Sequence, residues 1–178
     1  MAGSLIKLDT ATASSSASVS LTGITSAYNT CVVYWVDVLA ATDGADLMAR
    51  FTESGSANTN SNYNGAVGYP RSDRSFVDEN NDNLGLGDRD KMGLTGSTSN
   101  TANRGHHCSM YVSLAANGSE STFAQLKNVY LSSGGTAVML GNFGGWVLRE
   151  GTTVDGVQLF FDTGNIAQGD FVLYGIKK

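Results

Sequence analysis

The stretch Asp78-Glu79-Asn80-Asn81-Asp82-Asn83 opens like a calcium-binding loop, with oxygen-bearing side chains at alternate positions. A helix–loop–helix calcium site also needs glycine at its sixth position, for the sharp turn, and glutamate at its twelfth, to clasp the ion with both oxygens. Asn83 and Arg89 stand at those places instead. Residues 78–83 therefore read as a solvated acidic loop, and a looser loop-type calcium site is the one metal reading left to them. Further on, Arg104-Gly105-His106-His107-Cys108 sets two imidazoles beside a thiol. Adjacent residues of a strand point to opposite faces, so His106 and His107 are badly placed to share an ion. Zinc would also require a second ligand pair, and neither CxxC nor HxxxH occurs. The pair reads as partly buried histidines at a loop-to-strand junction.

Catalytic patterns are equally sparse. The sequence holds no G-x-S-x-G nucleophile elbow, no phosphate-binding P-loop and no HExxH helix. Asp88 and Asp90 are paired carboxylates, but Arg89 and Lys91 stand beside them, which argues for a mixed-charge surface over an acid/base pair. No residue is assigned a catalytic, cofactor-binding or metal-binding role, and the expectation is a protein that is not an enzyme and takes no cofactor. Asn117-Gly118-Ser119 has the form of a glycosylation acceptor and reads as a turn.

The elements that must carry these residues are strands. The chain has 178 residues with 22 glycines, one proline (Pro70) and only 15% charged residues. Ser, Thr, Asn and Gly take the polar positions that Glu, Lys and Arg would hold in long helices. The length suits a single domain, 1–178, able to bury a core without staples. A net charge of −5 argues against a broad phosphate-binding footprint, so no nucleic-acid partner is expected. No apolar run approaches the ~18 residues of a membrane span. MAGSLIKLDT lacks a basic region followed by a long apolar core, so the expected place of synthesis is a cytoplasm. Cys31 and Cys108 lie within apolar runs and read as buried thiols; spacing alone does not say whether they pair.

Along the chain, residues 1–20 read as a flexible or extended arm, within which 10–20, TATASSSASVS, fits a linker or an early strand equally, because Val19 and Leu21 alternate with small polar residues. CVVYWVDVL (31–39) is the strongest strand. Strict alternation sends Val33, Trp35 and Leu39 one way and Val32, Tyr34, Val36 and Val38 the other, so both faces need cover. Asp43-Gly44 marks a turn into LMARFTE (47–53). Residues 54–65 read as a polar loop, and 71–91, with six acids and four basic residues, as an extended surface segment. Together they make 54–107 a loop-rich insertion. CSMYVSL (108–114) resumes strand character with Cys108, Met110, Val112 and Leu114 on one face. FAQLKNVYL (123–131) fits a short helix or a strand. TAVMLGNF (136–143), GWVLRE (145–150), GVQLFFDTG (156–164) and the closing FVLYGIK read as short strands. Eight to ten strands with turn signals between them predict an all-β, antiparallel sandwich or barrel.

The last residues, GNIAQGDFVLYGIKK, place Phe171 and Leu173 on one face of a strand and Val172, Tyr174 and Ile176 on the other. An apolar strand at a terminus is stable as an internal sheet strand or at a subunit contact. This ending resembles the C-terminal signature of small jelly-roll structural proteins of tailed bacteriophages, matched by Gly164, Asn165, Ile166, Gly169, Phe171, Leu173, Tyr174, Gly175, Ile176 and Lys177. The front half is similar too, through Thr25-Ser26-Ala27-Tyr28, the run Asp43-Gly44-Ala45-Asp46-Leu47-Met48-Ala49-Arg50-Phe51, and a polar loop carrying Tyr63. The resemblance covers the two ends of the chain, and residues 71–107 have no counterpart in it. It implies a jelly-roll-like β-sandwich and a place in a virion.

Taken with the motif-poor, acidic chain, the resemblance implies a capsid decoration, or cement, protein on the outer surface of the shell. Its partners would be the major capsid protein and its own copies, as a homotrimer. Candidate contact residues are Arg71, Arg74, Asp78, Asp82, Arg89, Lys91 and Tyr63, whose mixed charges suit polar, salt-sensitive contacts. The alternative is a tail-fibre or receptor-binding protein, in which Tyr63, Tyr69, Trp146 and the loop 58–64 would stack on and hydrogen-bond a glycan.

Overall fold

The computed structural model describes residues 4–73, 89–113, 115–136 and 138–177. These form an all-β sandwich of two antiparallel sheets. Twelve strands follow in chain order: β1 (Leu5–Ser16), β2 (Val19–Thr22), β3 (Tyr28–Ala40), β4 (Leu47–Glu53), β5 (Ser56–Ala57), β6 (Tyr63–Gly68), β7 (Met92–Gly93), β8 (His106–Ser113), β9 (Thr122–Leu131), β10 (Met139–Leu148), β11 (Gly156–Phe161) and β12 (Ile166–Lys177). The larger sheet has the order β1-β12-β3-β8-β9-β10-β6. The smaller runs β2-β11-β4-β5, with β7 also paired to β4.

Sequence alternation sets the inner faces. On β9, Thr122, Ala124, Leu126, Asn128 and Tyr130 are buried while the residues between them are exposed, the period of two that excludes the helical reading of this stretch. Residues 10–16 fall within β1, which settles most of the arm-or-strand question in favour of a strand along β12. The last strand is internal, held between β1 and β3, with Phe171 and Leu173 fully buried. Gly175 lies where a Cβ would meet the Tyr28 ring at about 2.5 Å, so the close approach there is of an aromatic ring to the strand.

Strand β3 shows why both its faces are apolar, and where strict alternation fails. Cys31, Val33 and Trp35 face the core between the sheets. Val32, on the opposite face, is buried as well but stands outside that core. After Trp35 the register shifts, and Asp37 adopts φ 52°. This bulge inserts a residue and turns Val38 and Ala40 into the core, so Leu39 goes to the other face, the reverse of the alternation expected for 38 and 39. TAVMLGNF and GWVLRE, expected as two strands, are one continuous β10 paired with β9 along its whole length.

Residues 54–107 carry long connections, but much of what is described there is built into the body. Strand β6 is an edge of the larger sheet, and Leu94, Thr95, Thr98 and Ser99 are fully buried. Two buried asparagines account for this. Asn128 and Asn142 both donate side-chain N–H groups to the Leu94 carbonyl, at 2.5 and 2.7 Å, and Trp146 Nε1 donates to the Gly93 carbonyl at 3.0 Å. Groups that would be costly to bury alone thereby satisfy one another.

Candidate functional site

The candidate contact residues fall in different places. Arg74, Asp78 and Asp82, and with them the calcium-like stretch 78–83, lie outside the described residues. Arg71 grips Asp73 with both arms of its guanidinium, Nε at 2.9 Å and Nη2 at 2.8 Å, and its backbone bridges to Leu140 beyond one end of β6. Arg89 exchanges two backbone hydrogen bonds of 3.0 Å with Tyr63 at the other end of β6. Arg71 and Arg89 therefore belong to separate surfaces. Arg89 and Lys91 do come together, on a polar cavity of about 220 Å³ shared with Asp46 and Asp162. Burial pushes the Asp46 carboxyl up, opposed by the N–H of Ser97 and reinforced by the Asp162 charge. Asp90, though burial acts to raise it, is held below the usual carboxylate range by Arg50 and Lys91.

Tyr63 is not a surface residue. It is fully buried against Phe51, its hydroxyl accepts the Phe51 N–H at 3.0 Å and donates to the Asn58 carbonyl at 3.3 Å. Burial pushes its phenol well above the ordinary range. The start of an edge strand, read as the tip of a polar loop, turns this ring inward to fill the core beneath β4. Tyr69 and Trp146 are buried as well, so none of the three rings named for glycan stacking presents a face to solvent. The loop from Asn58 to Asn62 is instead tied down by Glu150. Its carboxylate accepts from the side-chain amides of Asn58, Asn60 and Asn62, the last at 2.9 Å.

His106 and His107 point to opposite faces, as their adjacency requires. His107 is exposed, and His106 is fully buried between Tyr130 and Phe161, with ring centroids 5.4 and 6.2 Å away. Neither ring nitrogen of His106 has a hydrogen-bond partner, and burial, with the neighbouring His107, pushes its pKa down to about 4. Among the described residues, no three His, Cys, Asp or Glu side chains gather in a way that could hold a metal ion. The cysteines are unpaired. Cys31 pairs in register with Val112, and Cys108 with Trp35, on adjacent strands. That separates them by four residues along the sheet, about 14 Å at the rise of a strand, beyond the ~7 Å Cα limit of a disulfide.

The most distinctive surface is the outward face of the larger sheet, of which the sequence marks only the second apolar faces of 31–39 and of the last strand as needing cover. Every large apolar side chain that stays exposed among the described residues lies on it. Leu5 comes from β1, Val36 from β3 and Tyr111 from β8. Phe123 and Val129, 50% and 55% exposed, come from β9, and Met139 and Phe143 from β10. At its centre Val32 is sealed beneath Tyr34, Tyr111 and Tyr174. Tyr34 and Tyr174 meet edge to face at 6.1 Å, and a hydrogen bond with Tyr111 pushes the Tyr34 phenol up. Beside Phe123 the face sinks into an apolar groove of about 460 Å³, where Ala66 and Gly145 leave room next to Val147. The signal was present in the sequence as apolar residues at the outward positions of β9 and β12. It could be read only once the strands were known to lie in one sheet.

No family model matches the chain, and no curated protein or solved structure matches it.

Proposed function

We propose that this protein is a bacteriophage capsid decoration protein, which stabilises a shell through protein–protein contacts. The observation that carries the reading is the outward face of the larger sheet. Monomeric soluble proteins rarely expose apolar patches beyond a few hundred Å², and larger ones mark contact surfaces. A face with aromatic and aliphatic side chains on five strands is suited to binding other proteins by shape. The likeness of residues 164–177 to jelly-roll virion proteins supplies the setting, a particle in which one contact is repeated by symmetry. Many modest contacts so repeated resist the outward pressure of packaged DNA. The expected partners are the shell protein and further copies of this chain.

The test is to add the purified protein to shells of the phage that encodes it, stripped of it beforehand. Binding should raise the temperature at which the shells break open, and the protein should be present in hundreds of copies per particle. No binding, or a handful of copies at the tail, rejects the reading.

A further inference from the structure

The outward face of the larger sheet has a charge pattern that selects its occupant. We infer that it is the contact between two copies of this chain, packed face to face about a twofold axis. The inference rests on the reading of this face as a protein-contact surface; it makes the second copy what covers the face, so that the pair meets the shell through its other surfaces, and it replaces the threefold assembly that the resemblance implied.

Register fixes which residues share the face. Successive outward rows run Phe123–Ser113–Thr30–Ile176–Leu5, then Gln125–Tyr111–Val32–Tyr174–Lys7, then Lys127–Ser109–Tyr34–Val172–Thr10, from β9 to β1. One row further on, β12 presents Asp170, opposite Val36 and Thr12. Within these rows the formal charges are Lys7, Lys127 and Asp170. The balance is close to neutral, so the face offers little to a nucleic acid or to a strongly charged peptide. Its partner has to be apolar and nearly neutral, and a second copy has both properties.

The placement of the charges then fits a twofold axis. In the order β1-β12-β3-β8-β9-β10-β6, an axis running along the strands between β3 and β8 carries β12 of one copy onto β9 of the other. It also carries β1 onto β10. Phe123 then lies over Ile176, and Leu5 over Val147, because each pair shares a row. Lys127 comes to within one row of Asp170, about 7 Å along the strand and within reach of a lysine side chain. The contact repeats, since each copy contributes both charges. Asp170 accepts the Thr12 hydroxyl at 2.6 Å, which holds its carboxylate in place on the outer face.

The size is also adequate. Five strand spacings of about 4.8 Å, from β1 to β10, by three rows of about 7 Å give ~500 Å² in plan. Ridged side chains expose more than their plan area, which brings the face to the ~600 Å² per partner at the lower end of a standard interface. Sheets packed face to face lie about 10 Å apart, the spacing found inside a sandwich. A contact made by one face with its own copy is isologous and closes at two.

Sedimentation of the purified protein alone tests this. A dimer is expected, and Phe123→Asp should weaken it at least about tenfold by placing a charge under the partner's Ile176. Lys127→Asp and Asp170→Lys should each weaken the dimer, and the double variant should recover it, because the pair is exchanged. Ser20→Asp, on an exposed position of the smaller sheet, should leave it unchanged. The substituted side chains are exposed, and circular dichroism checks that each variant is folded. A monomer at 100-fold the shell-saturating concentration, a trimer, a dimer indifferent to Phe123→Asp, or a double variant no better than the singles overturns the inference. A dimer that fails to bind shells removes the decoration reading and leaves the contact standing.

Discussion

Gln168 Nε2 donates to Asp37 Oδ2 at 2.6 Å, beside a shared break in register between β3 and β12. On the β3 side the break is the bulge at Asp37, with φ 52°. On the β12 side it is Gly169, with φ 144°. The two irregularities answer each other. The bulge returns Val38 to the core, and Gly169 gives it room, since a Cβ there would sit about 2.6 Å from Val38 Cγ2. This joint lets β3 present Val32, Tyr34 and Val36 outward while both of its ends stay anchored inside.

Gly169→Ala should therefore cost on the order of 1–3 kcal/mol in backbone strain, with the clash against Val38 in addition. Gly134, whose φ is also positive at 93°, has nothing within 4 Å of where a Cβ would stand. Gly134→Ala, with backbone strain but no clash, should cost less. Urea unfolding of the two variants measures the difference, and equal losses would remove the steric account of the joint.

Tyr63→Phe tests whether the inward ring is held by its hydroxyl as well as by its packing. The substitution keeps the contact with Phe51 but leaves the buried Phe51 N–H without its acceptor, at a cost of about 1–3 kcal/mol. Tyr63→Ala removes the ring too and should cost about 3–5 kcal/mol. If Tyr63→Phe is as stable as the parent, the hydroxyl contributes nothing net.

These two sites also show what the sequence makes legible. The all-β class, the strands 31–39 and 47–53, the inward Phe171 and Leu173, and the opposed His106 and His107 follow from periodicity of two, which local residue order encodes. The bulge does not follow, because Asp37 is an ordinary polar residue in an apolar run and the glycine that accommodates it lies 132 positions later. Tyr63 is misread for a similar reason. Its neighbours are asparagine, serine and glycine, and only pairing with β10 and the Phe51 contact turns the ring inward. The outward apolar face is the clearest case. Phe123, Tyr111, Val32 and Tyr174 are scattered over the chain, and sheet order alone makes them neighbours.

The two thiols should be silent in the folded protein. Cys31 is buried and Cys108, read from the sequence as buried too, is half-buried; desolvation pushes the first up to about 11 and the second up to about 12, and the thiolate is the reactive form. At pH 8, an aromatic disulfide reagent should titrate neither cysteine in the native state and both after unfolding in guanidinium. Rapid native reaction at either position would mean that the strand carrying it opens readily.

Glu150 should pin the 58–62 loop in a pH-dependent way. Burial acts to raise its carboxyl, but hydrogen bonds from Asn58, Asn60 and Asn62 outweigh this and hold it below its ordinary value. A depressed carboxylate contributes stability that is present above its unfolded pKa and lost as pH falls through the folded one. Glu150→Gln should raise amide exchange across 58–62 at neutral pH and narrow the difference between neutral and acid conditions. Unchanged exchange would show that the backbone alone sets the loop.

His106 makes the strongest prediction about acid. Its ring is neutral in the fold, with a pKa near 4 against an ordinary value of 6.5. Well above pH 6.5 both the folded and the unfolded chains carry it neutral, and it adds no pH dependence to stability. As pH falls from about 6.5 to about 4 the unfolded chain takes up a proton that the folded one refuses. Stability should then decline by up to about 1.4 kcal/mol per pH unit from this group. Because neither nitrogen has a partner, His106→Phe removes the proton uptake without orphaning a bonded group, and the aromatic contacts with Tyr130 and Phe161 are of a kind phenylalanine can keep. The variant should match or exceed the parent at pH 7.5 and clearly exceed it at pH 5. Urea midpoints at the two pH values decide it. A variant whose midpoint falls with acid as steeply as the parent's would show that the imidazole finds a proton acceptor inside the fold.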